Sequence, residues 1–413
     1  MRIVGLDTET YLITELNPIP PLICCTITGE GEDVAIYKHD DVKLLEVLKV
    51  LLLDDNVILA IHNAGFDATV LSLAFPELVV LFNEKYKKGL IICTLLYEKL
   101  LRLADDGVID RKEFDLAYCV AKYLGIDISA TKEKDTWREN YNLLEDVPLS
   151  EWDPEAIRYA KMDAFYHREV FKKQLAVKKI RDVKRQSYCD WLGRMTTKVE
   201  GLKIDQVFLE ERLAHFQGII KEQDTVLLKH NFKEPKSKKD PTLKKNTAVI
   251  KNAVEECYKK LEKPVPKTDP SDKYPSGQTS CDAESLDLIR GQHEGIDALI
   301  ALGSSGTAVN TFLLNWRGRD DVKPSLNMLT RTGRMSCYDP NMQNVNREGR
   351  IRGCFIPGEG YVFCSSDYGQ LELLTFAQIT YTWFKSLDQH CYMRDLINKG
   401  FDLHCVIGAD LMK

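Results

Sequence analysis

Along the first 180 residues the apolar positions alternate between two periods. Arg2 to Thr8 and Val57 to His62 are short β-branched or apolar runs and read as strands. Val42 to Leu53 and Ala156 to Leu175 repeat apolar residues at helical spacing. This alternation predicts an α/β domain around a central sheet over residues 1–180. The second helix has a defined start, with Asp153 placed to cap the free amides and Pro154 suited to the first helical position. Residues 185–230 read as long helices. Helical spacing returns over 281–315, and 317–360 is rich in Arg, Gly, Asn and Pro and reads as loop. Tyr361 to Ser366 reads as a strand and Leu371 to Ile379 as a helix. No internal repeat is present.

Between about 231 and 280 the pattern gives way to Pro235, Pro241, Pro264, Pro266, Pro270 and Pro275, interleaved with lysines. An irregular basic region is expected there, either a solvated linker or a surface for DNA phosphates. The whole chain carries a net charge of −6, which argues against a globally basic nucleic-acid binder; a local basic stretch still supplies a local field. A length of 413 residues predicts two or three domains. No apolar run approaches the ~20 residues that span a bilayer, and Met1 leads straight into a strand pattern without a signal peptide. The expectation is a cytoplasmic protein, of a bacterial or phage-infected cell, with no membrane partner. The 12 cysteines include no C-x-x-C pair, so reduced core thiols are expected and not a zinc site.

Candidate chemistry starts at Asp7 and Glu9, two apart at the end of the first strand and therefore on one face. The apolar strand Val57 to Ile61 leads into His62-Asn63-Ala64-Gly65-Phe66-Asp67, which suggests a carboxylate aimed beside that pair. Tyr159 and Asp163 stand at i and i+4 on the Asp153-capped helix and share a face. Each piece alone is more often structural. Together they give four carboxylates from three elements, which repel unless cations neutralise them. Oxygen ligands suit Mg²⁺ or Mn²⁺, and two such ions can activate a water and stabilise the leaving oxygen of a phosphodiester. The tyrosine would orient or deprotonate that water. These three segments resemble the three motifs of the DEDD exonucleases, in the subtype with tyrosine, in order and spacing across 1–180. The resemblance implies a ribonuclease H-like exonuclease fold with Asp7, Glu9, Asp67 and Asp163 as ligands of two ions. It implies that Tyr159 orients the water and that Asn63 and Phe66 place the terminal nucleotide. The reaction would be 3′-to-5′ removal of single nucleotides from a single-stranded 3′ end.

A second constellation runs from Thr330-Arg331-Thr332-Gly333-Arg334 through Gln343-Asn344 to Asp367-Tyr368-Gly369-Gln370-Leu371-Glu372. Arg, Gln and Asn on such a loop could reach the minor groove, whose acceptors allow sequence-tolerant contact. Asp367, at the end of the expected strand, reads either as a metal ligand or as a helix cap. The stretch is similar to the family A DNA polymerases, most densely over about 325–404. That resemblance implies primer-terminus and minor-groove contacts for Arg334, Gln343 and Asn344, and a catalytic metal at Asp367. It also implies nucleotide contacts for Gln370, Glu372 and His404, with Glu372 excluding a ribose 2′-hydroxyl. Residues 181–315 would be a mostly helical thumb with the basic insertion, and 316–413 a partial α+β palm. Two residues depart from the family pattern: Gly369 stands where Ser is usual, and Leu374 where Arg is usual. The fingers and the second palm carboxylate are expected to be missing, so nucleotide addition would need a second polypeptide, and dNTP would bind only then. A free-standing exonuclease and a DNA-binding remnant of an interrupted polymerase gene are the alternatives.

Overall fold

Nine residues at the N-terminus form β1 (Arg2–Thr10), whose Val4 and Leu6 are buried. The chain then forms β2 (Leu22–Thr28), β3 (Val34–Lys38), α1 (Val42–Leu53), β4 (Val57–Ile61), α2 (Ala64–Ala74), α3 (Leu78–Lys87) and β5 (Ile91–Cys93). The five strands make one sheet in the order β3-β2-β1-β4-β5. β1 is antiparallel to β2 and parallel to β4, so the sheet changes direction at its centre. Ligand sites in such sheets gather where strand direction or order changes, beyond the carboxyl ends of the strands. This computed structural model describes residues 1–29, 31, 33–107, 109, 114–132, 136–236, 240, 242–345, 348–384 and 391–412.

Three helices follow the sheet, α4 (Thr94–Asp106), α5 (Leu116–Leu124) and α6 (Pro154–Val177). The start of α6 follows from its sequence: the Asp153 carboxylate accepts from the Glu155 amide at 2.8 Å, and Pro154 occupies the first turn. α6 lies close against β1 because residue 5 is glycine. A Cβ there would stand 2.0 Å from the Ala164 carbonyl oxygen. The hydroxyl of Thr26 donates to the Ala160 carbonyl at 3.0 Å and fixes the same contact from β2. α7 (Asp182–Arg194) closes the domain, with Trp191 stacked on Tyr86 at 5.2 Å between ring centroids.

After a π-helical turn at Met195–Glu200 come β6 (Leu202–Ile204) and α8 (Gln206–Lys229). The basic region holds a hairpin of β7 (Lys233–Pro235) and β8 (Leu243–Lys245), then α9 (Thr247–Lys260). That helix replaces the irregular structure expected there. The prolines flank it without entering it, Asn246 caps it, and Ile250, Val254, Cys257 and Tyr258 fall on one buried stripe. Next come α10 (Ala283–Asp287), α11 (Glu294–Thr307), a π-helical stretch and α12 (Leu314–Trp316). The run Glu294–Trp316, 23 residues, is long and apolar enough by composition to cross a bilayer, contrary to the expectation from the sequence. Its apolar side chains fill two cores: Ile296 and Leu299 pack with α9, and Phe312, Leu313 and Trp316 pack with α8. β9 (Asp321–Val322), β10 (Ser325–Asn327), β11 (Ser336–Tyr338) and β12 (Phe355–Ile356) complete this part. β6 pairs with β9 and β12, and β10 pairs with β11.

The chain divides into two compact units, residues 1–356 and 357–413. The second contains α13 (Leu371–Phe384), α14 (Tyr392–Asn398) and α15 (Leu403–Leu411). The strand expected at Tyr361–Ser366 does not form, and Val362 is 85% exposed. A strand exists by pairing, and no other strand is present among the described residues of this unit.

Candidate active site

The carboxyl end of β1 meets α6 across a cleft of about 930 Å³. One carboxylate oxygen each of Asp7, Glu9 and Asp163 lies within 4.8 Å of the others. Two unit charges at that distance repel by about 3 kcal/mol at an effective dielectric constant of about 20. Three hard oxygen ligands in a partly buried cluster fit a divalent ion such as Mg²⁺ or Mn²⁺.

Asp67 lines the same cleft but stands outside that cluster. It lies in the first turn of α2, and its Oδ1 accepts from the Thr8 amide at 3.0 Å and the Thr8 hydroxyl at 2.7 Å. Thr8 separates Asp7 from Glu9 and alternates to the other side of the strand, so Asp67 is tied to the backbone that presents the pair. Burial pushes the Asp67 acid up to about 7, against the Thr8 donors and the nearby Arg194, which lower it.

Tyr159 is one turn before Asp163 on α6. Burial, then the charges of Asp163, Glu9 and Asp7, push its phenol well above the ordinary tyrosine range. It is a hydrogen-bond donor at neutral pH, which disfavours the reading of it as a base. His167 is one turn after Asp163 and was not expected in the site, although 159, 163 and 167 form a plain i, i+4, i+8 stripe. Its Nδ1 donates to the Leu6 carbonyl at 2.8 Å, and its Nε2 lies 3.8 Å from Asp7 Oδ1.

Asn63 takes a left-handed conformation, φ 64°, at the start of α2. Its Oδ1 accepts from Arg194 Nη2 at 2.7 Å, and Arg194 Nε donates to Asp190 at 3.1 Å. Gly65 permits this: a Cβ there would stand 2.1 Å from Asp190 Oδ2. No local pattern marks Asp190 or Arg194, since they reach the cleft only through packing of α7 on α2. Phe66 also lines the cleft.

The second constellation is spread out. Arg334 is on an exposed turn in which the Gly333 amide donates to the Thr330 carbonyl at 2.9 Å. Gln343 Oε1 accepts from the Cys337 amide at 3.2 Å, and Asn344 is exposed. In the second unit Asp367 is exposed on irregular backbone, and Gln370 takes φ 55° just before α13. Glu372 is in the first turn of α13, and the His404 amide donates to Asp402 at 2.8 Å. Among the described residues, no carboxylate cluster includes Asp367. In the basic region, Lys233 pairs with Asp224 at 2.5 Å and Lys244 with Glu234 at 3.1 Å.

Residues 1–176 match the 3'-5' exonuclease family, and residues 244–413 match DNA polymerase family A. DNA polymerase I of Lactococcus lactis subsp. cremoris is 42% identical over 80 residues, 18% of this chain and 8% of that protein. DNA polymerase I of Borreliella burgdorferi is 32% identical over 111 residues, 24% of this chain and 12% of that protein. The enzyme of Bacillus subtilis is 33% identical over 112 residues, 24% and 13% of the two chains. The matched segments are thus a small part of each relative. The polymerase domain of Pol1 from M. smegmatis, solved with DNA primer-template and dNTP, shares the fold with a TM-score of 0.58 and 17% identity. That match covers 97% of this chain and 62% of the other.

Proposed function

Because this chain belongs to family A of the DNA polymerases, with an N-terminal 3′-5′ exonuclease domain, we propose that the cleft between β1 and α6 removes nucleotides singly from DNA 3′ ends. The observation that carries this reading is the cluster of Asp7, Glu9 and Asp163 within 4.8 Å. These residues, with Asp67, would hold two divalent ions, which supply an activated water and stabilise the leaving oxygen. Tyr159 would hydrogen-bond through its phenol O–H to the oxygen of that water and hold it in line. Asn63, held by Arg194, and Phe66 position the terminal nucleotide. The cleft would proofread during replication.

The test is digestion of a 5′-labelled single strand by the full chain with Mg²⁺. A ladder shortening from the 3′ end, abolished by chelator, is expected. Internal cleavage, or no product, would contradict the reading.

For polymerisation, the reading assigns Arg334, Gln343 and Asn344 to the primer terminus, Asp367 to a metal, and Gln370, Glu372 and His404 to the nucleotide. Asp367 has no carboxylate cluster among the described residues, and Phe363, Phe376 and Trp383 of the second unit are exposed. Both support a polymerase site in which this face is covered and a second carboxylate is supplied beside Asp367, a role that a further polypeptide would fill. Mixing the two should restore nucleotide addition, and Asp367→Ala should remove it. Primer extension by the 413-residue chain alone would contradict the need for a partner.

A further inference from the structure

The β10–β11 hairpin lies in the polymerase-matching region, yet it is built into the exonuclease domain. Leu329, just after β10, is 2% exposed in the same apolar core as Leu6, Ala64 and Trp191. Leu326 and Met328 pack against α7: their Cδ1 and Sδ lie 3.4 and 3.3 Å from the place a Cβ on Gly193 would take. Leu326, Asn327, Met328 and Tyr338 line the cleft that holds Asp7, Glu9 and Asp163. One wall of the exonuclease cleft therefore comes from outside the exonuclease-matching residues.

That wall has the chemistry of a single-strand subsite. Tyr338 is 46% exposed and lines the cleft, which places an aromatic ring on its wall. The Asn327 side-chain oxygen accepts from the Leu329 amide at 3.3 Å, so its NH₂ group remains as a donor. Tyr338 pairs with Ser325 and Asn327 with Ser336, two rungs apart on one ribbon. Beyond them the ribbon ends in the exposed turn that carries Arg331 and Arg334. An aromatic face, an amide donor and two guanidinium groups along one ribbon suit stacked bases and a phosphate backbone.

We propose that Asn327 and Tyr338 form a subsite for the nucleotides just upstream of the one being removed, with Tyr338 stacking on a base and Asn327 donating to the strand. The inference rests on the exonuclease reading and adds a specificity for strand length. Two substrates test it with the full chain and Mg²⁺: a single-stranded decamer, and the p-nitrophenyl ester of thymidine 5′-phosphate, which has no upstream base. For Tyr338→Ala and Asn327→Ala, the ratio of kcat/KM on the decamer to that on the ester should fall, by about tenfold for the tyrosine. The loss should sit in KM, and Tyr338→Phe should restore the ratio. A hairpin that only braces the fold would lower both substrates together and leave the ratio unchanged, which would overturn the proposal. If the unaltered chain hydrolyses neither substrate, the exonuclease reading falls and this inference with it. If it hydrolyses both and the variants keep its ratio, only the inference falls.

Discussion

Replacing Asp163 by asparagine should make the metal-free protein more stable and the metal-loaded protein less so. The side chain keeps its shape and loses its charge, so two of the three repulsions among Asp7, Glu9 and Asp163 disappear. Each is worth about 3 kcal/mol at 4.8 Å and an effective dielectric constant of about 20. The Asp7 side chain is 14% exposed, so water screens most of this, and a net gain of about 1 kcal/mol is expected. For a domain of this size that raises the melting temperature by about 2–4 °C. With Mg²⁺ at a hundred times its Kd the parent gains about 2.7 kcal/mol by mass action, and the variant forfeits most of it. Thermal unfolding in chelator and across an Mg²⁺ titration should therefore show the two curves crossing. A variant that melts below the parent in chelator, or that keeps the parent's full Mg²⁺ shift, would refute the reasoning.

Gly65→Ala places a methyl 2.1 Å from Asp190 Oδ2 and 2.9 Å from Arg194 Nε; it should cost about 1–3 kcal/mol in urea unfolding and weaken single-strand binding by releasing Asn63. The Nδ1 of His293 accepts from the Gly295 amide at 3.0 Å and caps α11, and burial, then His230 and Lys260, hold its acid below the ordinary 6.5, with Glu256 and Asp297 opposing. A folded value below the unfolded one means this contribution is full above about pH 6.5 and is lost as pH falls through the folded value; His293→Asn, a cap that does not titrate, should lose less stability between about pH 7 and 5 than the parent. Residues 231–280 carry twelve lysines and seven acidic residues. Changing Lys245, Lys259, Lys260 and Lys263 to glutamine should flatten the salt dependence of duplex binding by about 0.9 in log–log slope for each phosphate no longer neutralised, and an unchanged slope would favour a plain linker.

Elements whose apolar period is satisfied within the exonuclease domain were legible almost to the residue. Val42–Leu53 is a helix over that span, and the helix expected at Ala156–Leu175 runs from Pro154 to Val177. The cap at Asp153 and the shared face of Tyr159 and Asp163 follow from local spacing and needed no tertiary knowledge. The strand expected at Tyr361–Ser366 failed because an apolar run becomes a strand only when a neighbour pairs with it. Long-range ties were also invisible: Thr8 to Asp67 across 59 positions and Arg194 to Asn63 across 131. Nothing local in Leu326–Leu329 marks it as part of the exonuclease core and cleft wall. Asp67 was expected beside Asp7 and Glu9, and it is there, but its hydrogen bonds to Thr8 set it apart from the cluster of three.

The most direct test of the central claim uses the Asp7→Ala, Glu9→Ala double variant. Both side chains leave the rim of the cleft, so the fold should persist, checked by an unchanged circular dichroism spectrum. Release of mononucleotides from the 3′ end of a labelled single strand in Mg²⁺ should vanish. Release at the parent's rate would show that the carboxylates at the end of β1 are not the seat of hydrolysis.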